Sequence, residues 1–293
     1  MRELAVLFVL MVVALTVNAQ VTIKAQVLDS LTREPVPFAT VKVSGKNLGG
    51  FTTVEGDFLI SADEQDTLIV HSLGYTDKRI PVSSLLSNSI IALVPAPDLM
   101  EAVEVVASNK KLKTKKEELG YHKEDKDNYA RMNVPIGFQV AVYIPNTFRA
   151  ESYLTKSYFR LKKVDFEKTY FRVRVYEYDP VRKKPGKEIY HKQVIEKVGV
   201  VKGILTVDLS SYGIQMPPQG IVLALEFLGE EGSSGQFIKK HDFFELQLGQ
   251  SKNSEENRTF LEGINSNWVL YTPKATNGSS TNTMFGIEVD VVQ

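Results

Sequence analysis

Four histidines, His71, His122, His191 and His241, supply all the imidazole of this 293-residue chain. A zinc hydrolase needs a histidine and a glutamate at close spacing plus a more distant histidine, because catalytic zinc takes three protein ligands and keeps a position for water. None of the four has a glutamate three residues on. His122 has Asp125 there, inside a stretch so charged that nothing in it would fix a ligand's geometry. His241 has Glu245 four residues on; in a strand the two share a face but lie about 13 Å apart. Asp125-Lys126-Asp127-Asn128 has the beginnings of a calcium loop but lacks the central glycine and the distal glutamate. An oxygen-ligand calcium site built from separate loops stays open. Serine chemistry has no Gly-x-Ser-x-Gly elbow, and Gly232-Ser233-Ser234-Gly235 reads as a flexible turn. No glycine loop precedes a helix to cradle a phosphate. The chain has no cysteine, hence no thiolate nucleophile, no thiolate-bound metal and no disulfide. These residues lead us to expect no catalytic site, no metal and no cofactor.

Two patterns point instead to binding. Tyr143, Phe148, Tyr153, Tyr158, Tyr170, Tyr176, Tyr178, Tyr190, Tyr212, Trp268 and Tyr271 crowd the later part of the chain. Most are expected to be core or strand-pair residues. Trp268 and Tyr271 follow the polar stretch Gly249 to Asn267 and are the candidates for a ligand, since an exposed ring on a β-sheet stacks on sugars or peptides. The second pattern is the basic strip Arg160, Lys162, Lys163, Lys168, Arg172 and Arg174, whose alternation along strands places side chains on an outer face. That strip fits either an ordinary solvated face or a polyanion site.

Composition sets the frame for these residues. Lys plus Arg and Asp plus Glu both number 35, so no overall charge draws the chain to nucleic acid, and no nucleic-acid partner is expected. Hydrophobic residues make up 43% of the chain, enough for packed cores. Met1-Arg2-Glu3 leads into an apolar run from Leu4 to Val17, closed by Asn18-Ala19. This run is short for a membrane span and ends in small residues, so residues 1–19 read as a secretory signal peptide cut after Ala19. The residue after the cut is Gln20, so the cysteine of a lipoprotein anchor is lacking. No later segment reaches the roughly 20 apolar residues of a membrane helix. Stability outside the cytoplasm must then come from burial.

The elements that carry these residues are strands. Val21, Ile23, Ala25 and Val27 alternate with Thr22, Lys24 and Gln26, the period of a strand with one buried face. Further short strands follow up to Val94, broken by turn residues every 8 to 12 positions or so, which indicates a small sandwich. Pro95-Ala96-Pro97 interrupts the pattern. Residues 96–131, rich in lysine and then in acids, read as a solvated linker. From 132 to 293 longer strands return. Phe171, Val173 and Val175 face one way, and Arg172, Arg174 and Tyr176 the other. Lys184-Pro185-Gly186 and Met216-Pro217-Pro218-Gln219-Gly220 mark turns. About eight or nine strands fit a jelly-roll-like sandwich. The expected class is all-β, in two sandwiches.

The first unit carries a recognisable series: Val27-Leu28-Asp29, Glu34-Pro35-Val36-Pro37-Phe38-Ala39-Thr40-Val41, Thr52-Thr53-Val54-Glu55-Gly56-Asp57-Phe58 and Leu73-Gly74-Tyr75. From Gln20 to about Pro95 it resembles the carboxypeptidase regulatory-like domain of secreted and outer-membrane proteins of the Bacteroidota. The resemblance implies a seven-stranded, transthyretin-like sandwich, and in relatives this domain accompanies catalytic units without being catalytic. Residues alone give the same roles: Gly56 sits where a tight hairpin needs positive φ. Many relatives continue into a TonB-dependent receptor plug and barrel, and Leu99 to Val106 is similar to the strand leading there. The remaining chain is too short for such a barrel. The second unit is similar to the carboxy-terminal domain of some uncharacterised proteins from the same bacteria, which implies no activity.

The expected function is a non-catalytic, exported cell-envelope binding or adaptor protein whose partner is an envelope protein or a glycan. The alternatives are a carbohydrate-binding protein at the outer membrane, with exposed aromatics on one sheet, and an enzyme of unrecognised type, with convergent acids or histidines in a deep pocket.

Overall fold

The computed structural model describes residues 20–46, 48–85, 89–96, 113–123, 129–161, 169–189, 193–199, 203–230, 244–251, 254–264, 267–273 and 279–293. The signal-peptide reading of residues 1–19 lies outside them. So do Leu99 to Val106, the calcium-like run Asp125 to Asn128, Lys162, Lys163, Lys168, Tyr190, His191, Gly232 to Gly235 and His241. The chain divides into two compact units, the first reaching Ser72 and including Thr76–Val94, the second made of Leu73–Tyr75 and the residues from Pro95 onward.

In the first unit the strands are β1 (Gln20–Asp29), β2 (Thr40–Val43), β3 (Gly49–Phe51), β4 (Asp57–Asp63), β5 (Thr67–His71), β6 (Lys78–Pro81) and β7 (Ile90–Leu93), with a single helical turn α1 (Val82–Leu85). They form two sheets, β4-β1-β7 and β3-β2-β5-β6, which gives the seven strands the resemblance implies. Alternation decides what is buried: Ile23, Ala25 and Val27 of β1 meet Phe58, Ile60 and Ala62 of β4, and Val41, Val43, Leu68 and Val70 complete the interior from the other sheet. β1 pairs antiparallel with β4 but parallel with β7, in the register Gln26↔Ile90 to Asp29↔Leu93. Gly56 has φ +78, and a Cβ there would stand 2.5 Å from the Val27 carbonyl oxygen. Only glycine allows that hairpin to close against β1. Thr52 lies inside, taking the Ala39 N–H at 2.9 Å and donating to the Val36 carbonyl at 2.7 Å.

The second unit contains β8 (Thr114–Gly120), β9 (Tyr129–Val134), β10 (Gln139–Ile144), β11 (Ser152–Leu161), β12 (Thr169–Asp179), β13 (Lys184–Glu188), β14 (Val194–Val198), β15 (Gly203–Asp208), β16 (Ile221–Glu230), β17 (Phe244–Gly249), β18 (Thr259–Glu262), β19 (Val269–Tyr271) and β20 (Phe285–Val292). The larger sheet runs β13-β12-β16-β10-β18-β19 with β14 beside β12; the smaller runs β8-β20-β11-β17-β9 with β15 beside β11. Their inner faces share one apolar core, to which Val140, Val142, Phe171, Val173, Val175, Leu223 and Leu225 come from the larger sheet and Leu154, Phe159, Leu161, Phe285, Ile287 and Val289 from the smaller. Phe159 and Phe285 meet edge to face, ring centroids 4.7 Å apart.

Two elements and the number of strands differ from the sequence reading. Thr114–Gly120, within the stretch read as linker, is a strand paired with β20 over seven residues. Its side chains bury little, so composition shows no strand; backbone pairing to a formed sheet supplies what side chains do not. Lys184-Pro185-Gly186, read as a turn, opens β13 at the edge of the larger sheet. A proline is tolerated on an edge because its missing N–H faces no partner. Short edge strands such as β13, β14 and β19 also raise the number above the expected eight or nine. Met216 to Gly220, by contrast, is the turn expected: Gly220 has φ +94 and its N–H bonds to the Pro217 carbonyl at 2.9 Å.

Candidate binding face

Pairing in the larger sheet lines up its outer-face side chains in rows. Arg172 lies opposite Glu226, which lies opposite Gln139, which lies opposite Glu262. One step along come Arg174, Ala224, Ala141, Phe260 and Leu270; the next step brings Tyr176, Val222 and Tyr143. Ala141, Ala224 and Val222 are small enough to let rings lie over them, and Phe260 and Tyr176 bury there with Tyr143, Tyr178 and Trp268 packed against the cluster. The outer face therefore carries its own apolar layer.

At its polar end the face is charged but internally balanced. Glu226, 3% exposed, accepts from Arg172 at 3.2 Å and Arg174 at 3.4 Å, and Arg174 also bonds Glu188 at 2.6 Å. Two guanidiniums thus face two carboxylates. Burial is the largest influence on both arginines. It holds Arg172 below the ordinary arginine pKa, whereas at Arg174 the charges of Glu226 and Glu188 outweigh it and the pKa lies above. The Tyr176 hydroxyl donates to Gln139 at 2.8 Å, and burial raises its pKa well beyond the phenol range. Gln139 in turn donates to Glu262 at 3.1 Å.

This arrangement corrects the basic strip. Arg172 and Arg174 are on the outer face as expected, yet Arg172 is buried, Arg174 is half-buried and both are matched by carboxylates, so neither offers free charge to a polyanion. Arg160 is buried on the smaller sheet, where its guanidinium donates twice to the His122 carbonyl, at 3.1 and 2.9 Å. The matching acid could not be seen by scanning for local charge, because Glu226 stands 54 residues beyond Arg172 in sequence.

At its aromatic end the face stays partly open. Tyr143 and Tyr178 stack with centroids 3.7 Å apart and planes at 16°, and Arg258 lies 5.6 Å from the Tyr143 centroid. Arg258 bonds Glu256 at 2.5 Å. Burial raises the pKa of both tyrosines, so they remain neutral phenols. Trp268 is half-buried, edge-on to Tyr176 at 5.5 Å. Beside it Val269 and Leu270 of the edge strand β19 are 62% and 44% exposed. Tyr271 is also half-buried, but β19 pairs it with Thr259 while Leu270 pairs with Phe260. Alternation therefore puts Tyr271 on the opposite side from Phe260 and Trp268. The two candidate residues are not brought together; Trp268 is instead joined by Tyr143, Tyr176 and Tyr178. The signal for this was the shared parity of Tyr176 and Tyr178 with Arg174, and of Tyr143 with Gln139.

Two histidines are among the described residues. His71 Nδ1 lies 2.5 Å from Asp77 Oδ1 at an exposed position. His122 is buried and bonds Glu118 through Nε2 at 2.8 Å. Counting only carboxylates that follow a histidine misses Glu118, four residues before it. No group of three or more His, Asp or Glu side chains placed to hold a metal occurs among the described residues. No helix among them is long and apolar enough to cross a membrane.

Residues 23–107 match the CarboxypepD_reg-like domain family. The TonB-dependent receptor SusC of Bacteroides thetaiotaomicron is 32% identical over 87 residues, which is 30% of this chain and 8% of the receptor. Likeness to that receptor thus spans a small part of its length. Among solved structures, that of infectious bursal disease virus Gt strain is 12% identical, covers 94% of this chain and 66% of its own, and has a TM-score of 0.26. The Gx strain structure is 8% identical with a TM-score of 0.16. Scores so low carry no argument about fold or function.

Proposed function

We propose that this protein is a non-catalytic binding or adaptor protein exported to the cell envelope of a Bacteroidota bacterium, with the second unit as its recognition surface. The family match and the SusC likeness of the first unit support the envelope setting. One observation carries the recognition role. On the outer face of the larger sheet the charges of Arg172, Arg174, Glu226 and Glu188 are matched in place, while Tyr143, Tyr178, Trp268 and Leu270 remain accessible at one end. A face of rings and aliphatic side chains over a rigid sheet suits stacking and apolar contact.

The stacked tyrosines and the neighbouring indole favour a glycan as one form of this ligand, since sugar rings present flat C–H faces to aromatics. The test is a glycan array and an envelope pull-down run with the whole chain, its Trp268→Ala variant and its Tyr178→Ala variant. Retention of a glycan or an envelope protein by the parent, lost in both variants, supports the reading. Retention that survives both changes removes this face from the argument.

A further inference from the structure

We infer that His122 is a proton-operated latch fastening β8 to the second sandwich, and that mild acid releases this strand. The inference is independent of any ligand on the larger sheet.

Beyond its backbone pairing with β20, a Lys116–Glu288 bridge and the packing of Leu119 on the core, the described side chains of β8 do little to hold it. Of its seven residues only Glu117 and Leu119 are even half-buried, and it lies at the edge of the smaller sheet with β20 as its neighbour. Its backbone register runs from Thr114↔Val292 to Gly120↔Gly286, and the Tyr121 N–H then bonds the Phe285 carbonyl at 2.8 Å. At that point the chain turns inward and seats His122, which is 3% exposed. The imidazole stacks on Tyr158 with centroids 4.4 Å apart and planes at 14°. It rests against Gly286, where a Cβ would come within 1.9 Å of Nδ1. The strand's own partner residue is therefore the floor of the histidine's seat, and only a glycine leaves room for it.

The seat is built for the neutral ring. Nε2–H donates to Glu118, and Nδ1 is buried with no hydrogen-bond partner among the described residues. A proton on Nδ1 would add an N–H donor where no acceptor waits, at the full cost of an unsatisfied buried group. Among the described residues the charged groups around the ring are few. From its own turn come Glu118 and Lys123, which bond each other at 2.7 Å; from β11 come Arg160 and Tyr158; from β20 comes Glu288, held by Lys116 and Lys156. Tyr158 is uncharged, its hydroxyl pushed up to about 12 by burial and by Glu288. Burial lowers the His122 pKa, Glu118 opposes this, and Lys123 and Arg160 reinforce it.

The direction of the switch follows. A released His122 titrates near the ordinary imidazole value of about 6.5. The seated ring binds its proton less tightly, so the released state gains protons first as pH falls. The latch is complete above the ordinary value and weakens as pH drops from there toward the lowered one. Release bares the β20 edge, Phe285 to Val292, as an open row of backbone donors and acceptors.

The experiment is amide hydrogen exchange on the whole chain between pH 7.5 and 5.0, corrected for intrinsic rates, together with an NMR titration of the His122 ring. Protection in β8 should fall in acid while β11 and β16 keep theirs. The overall loss should be about tenfold for each unit by which the measured His122 pKa lies below the free value. His122→Phe keeps a flat ring against Tyr158 and should make β8 protection indifferent to pH. A His122 pKa at or above that of free histidine overturns the inference. Undiminished β8 protection in acid, or the same pH response in His122→Phe, does so as well.

Discussion

Replacing Glu226 by alanine should unbalance the buried network more severely than any other single change on the outer face. Arg172 and Arg174 carry two positive charges and Glu226 and Glu188 two negative ones, so the variant leaves one positive charge in excess at a site where Arg172 is 6% exposed. Arg174 keeps Glu188 at 2.6 Å, whereas Arg172 loses a carboxylate at 3.2 Å. Breaking a buried pair from one side costs about 3–5 kcal/mol. The chain's one tryptophan, Trp268, lies on the same face and makes urea unfolding of the second unit readable by fluorescence. With a slope of roughly 2–3 kcal/mol per molar urea, the midpoint should drop by about 1–2 M. Glu226→Gln retains an acceptor oxygen without the charge and should fall between. The double change Arg172→Met with Glu226→Leu leaves Arg174 and Glu188 as a balanced pair and should recover most of the loss, because well-packed apolar residues often replace a buried ion pair without cost. A Glu226→Ala unfolding free energy within about 0.5 kcal/mol of the parent, the range of ordinary surface changes, would refute the claim that these charges depend on one another.

Gly286→Ala drives a methyl group into the His122 ring and should destabilise the second unit by about 1–3 kcal/mol, visible as a lower thermal midpoint and loss of β8 exchange protection. Thr52→Val strands the Ala39 N–H and the Val36 carbonyl inside the first unit; circular dichroism melts should show a cost of about 1–3 kcal/mol, with the Ala39 amide exchanging faster. Trp268→Ala should lower stability by no more than about 1–2 kcal/mol, since the indole is half-buried, while removing retention on whichever glycan or envelope protein the parent binds. The His122 titration above adds a pH dependence: wild-type stability should rise with pH through the imidazole range, and His122→Phe should flatten that rise.

Much of the architecture was legible in side-chain periodicity. Phe171, Val173 and Val175 turn inward, as alternation requires, and Gly56 takes the positive φ its hairpin position demands. What could not be read belongs to partners distant in sequence. The strand Thr114–Gly120 has no buried face of its own and exists through hydrogen bonds to β20. Arg172 and Arg174 look solvated because their strand shows only their own charge; Glu226 comes from β16. His122 reads as one residue in a charged run because its seat is assembled from Tyr158, Arg160 and Gly286, all supplied by other strands. For the candidate site, Trp268 lies beside the aromatic layer, and the odd spacing from Trp268 to Tyr271 separates the two, a distinction that depends on knowing where β19 pairs.

The parallel pairing of β1 with β7 bears on how the chain comes to be folded. The two strands that meet in the register Gln26↔Ile90 stand near opposite limits of the first unit's sequence, and β8 meets β20 across almost the whole of the second. Such topologies pay their loop-closure entropy before any contact rewards it, so they fold slowly. A nascent chain that has emerged only as far as Asp63 holds β1 and β4 but lacks the third strand of their sheet, and so has no finished body to lock into. Late closure of this kind sets the moment of folding at the arrival of the most distant strand.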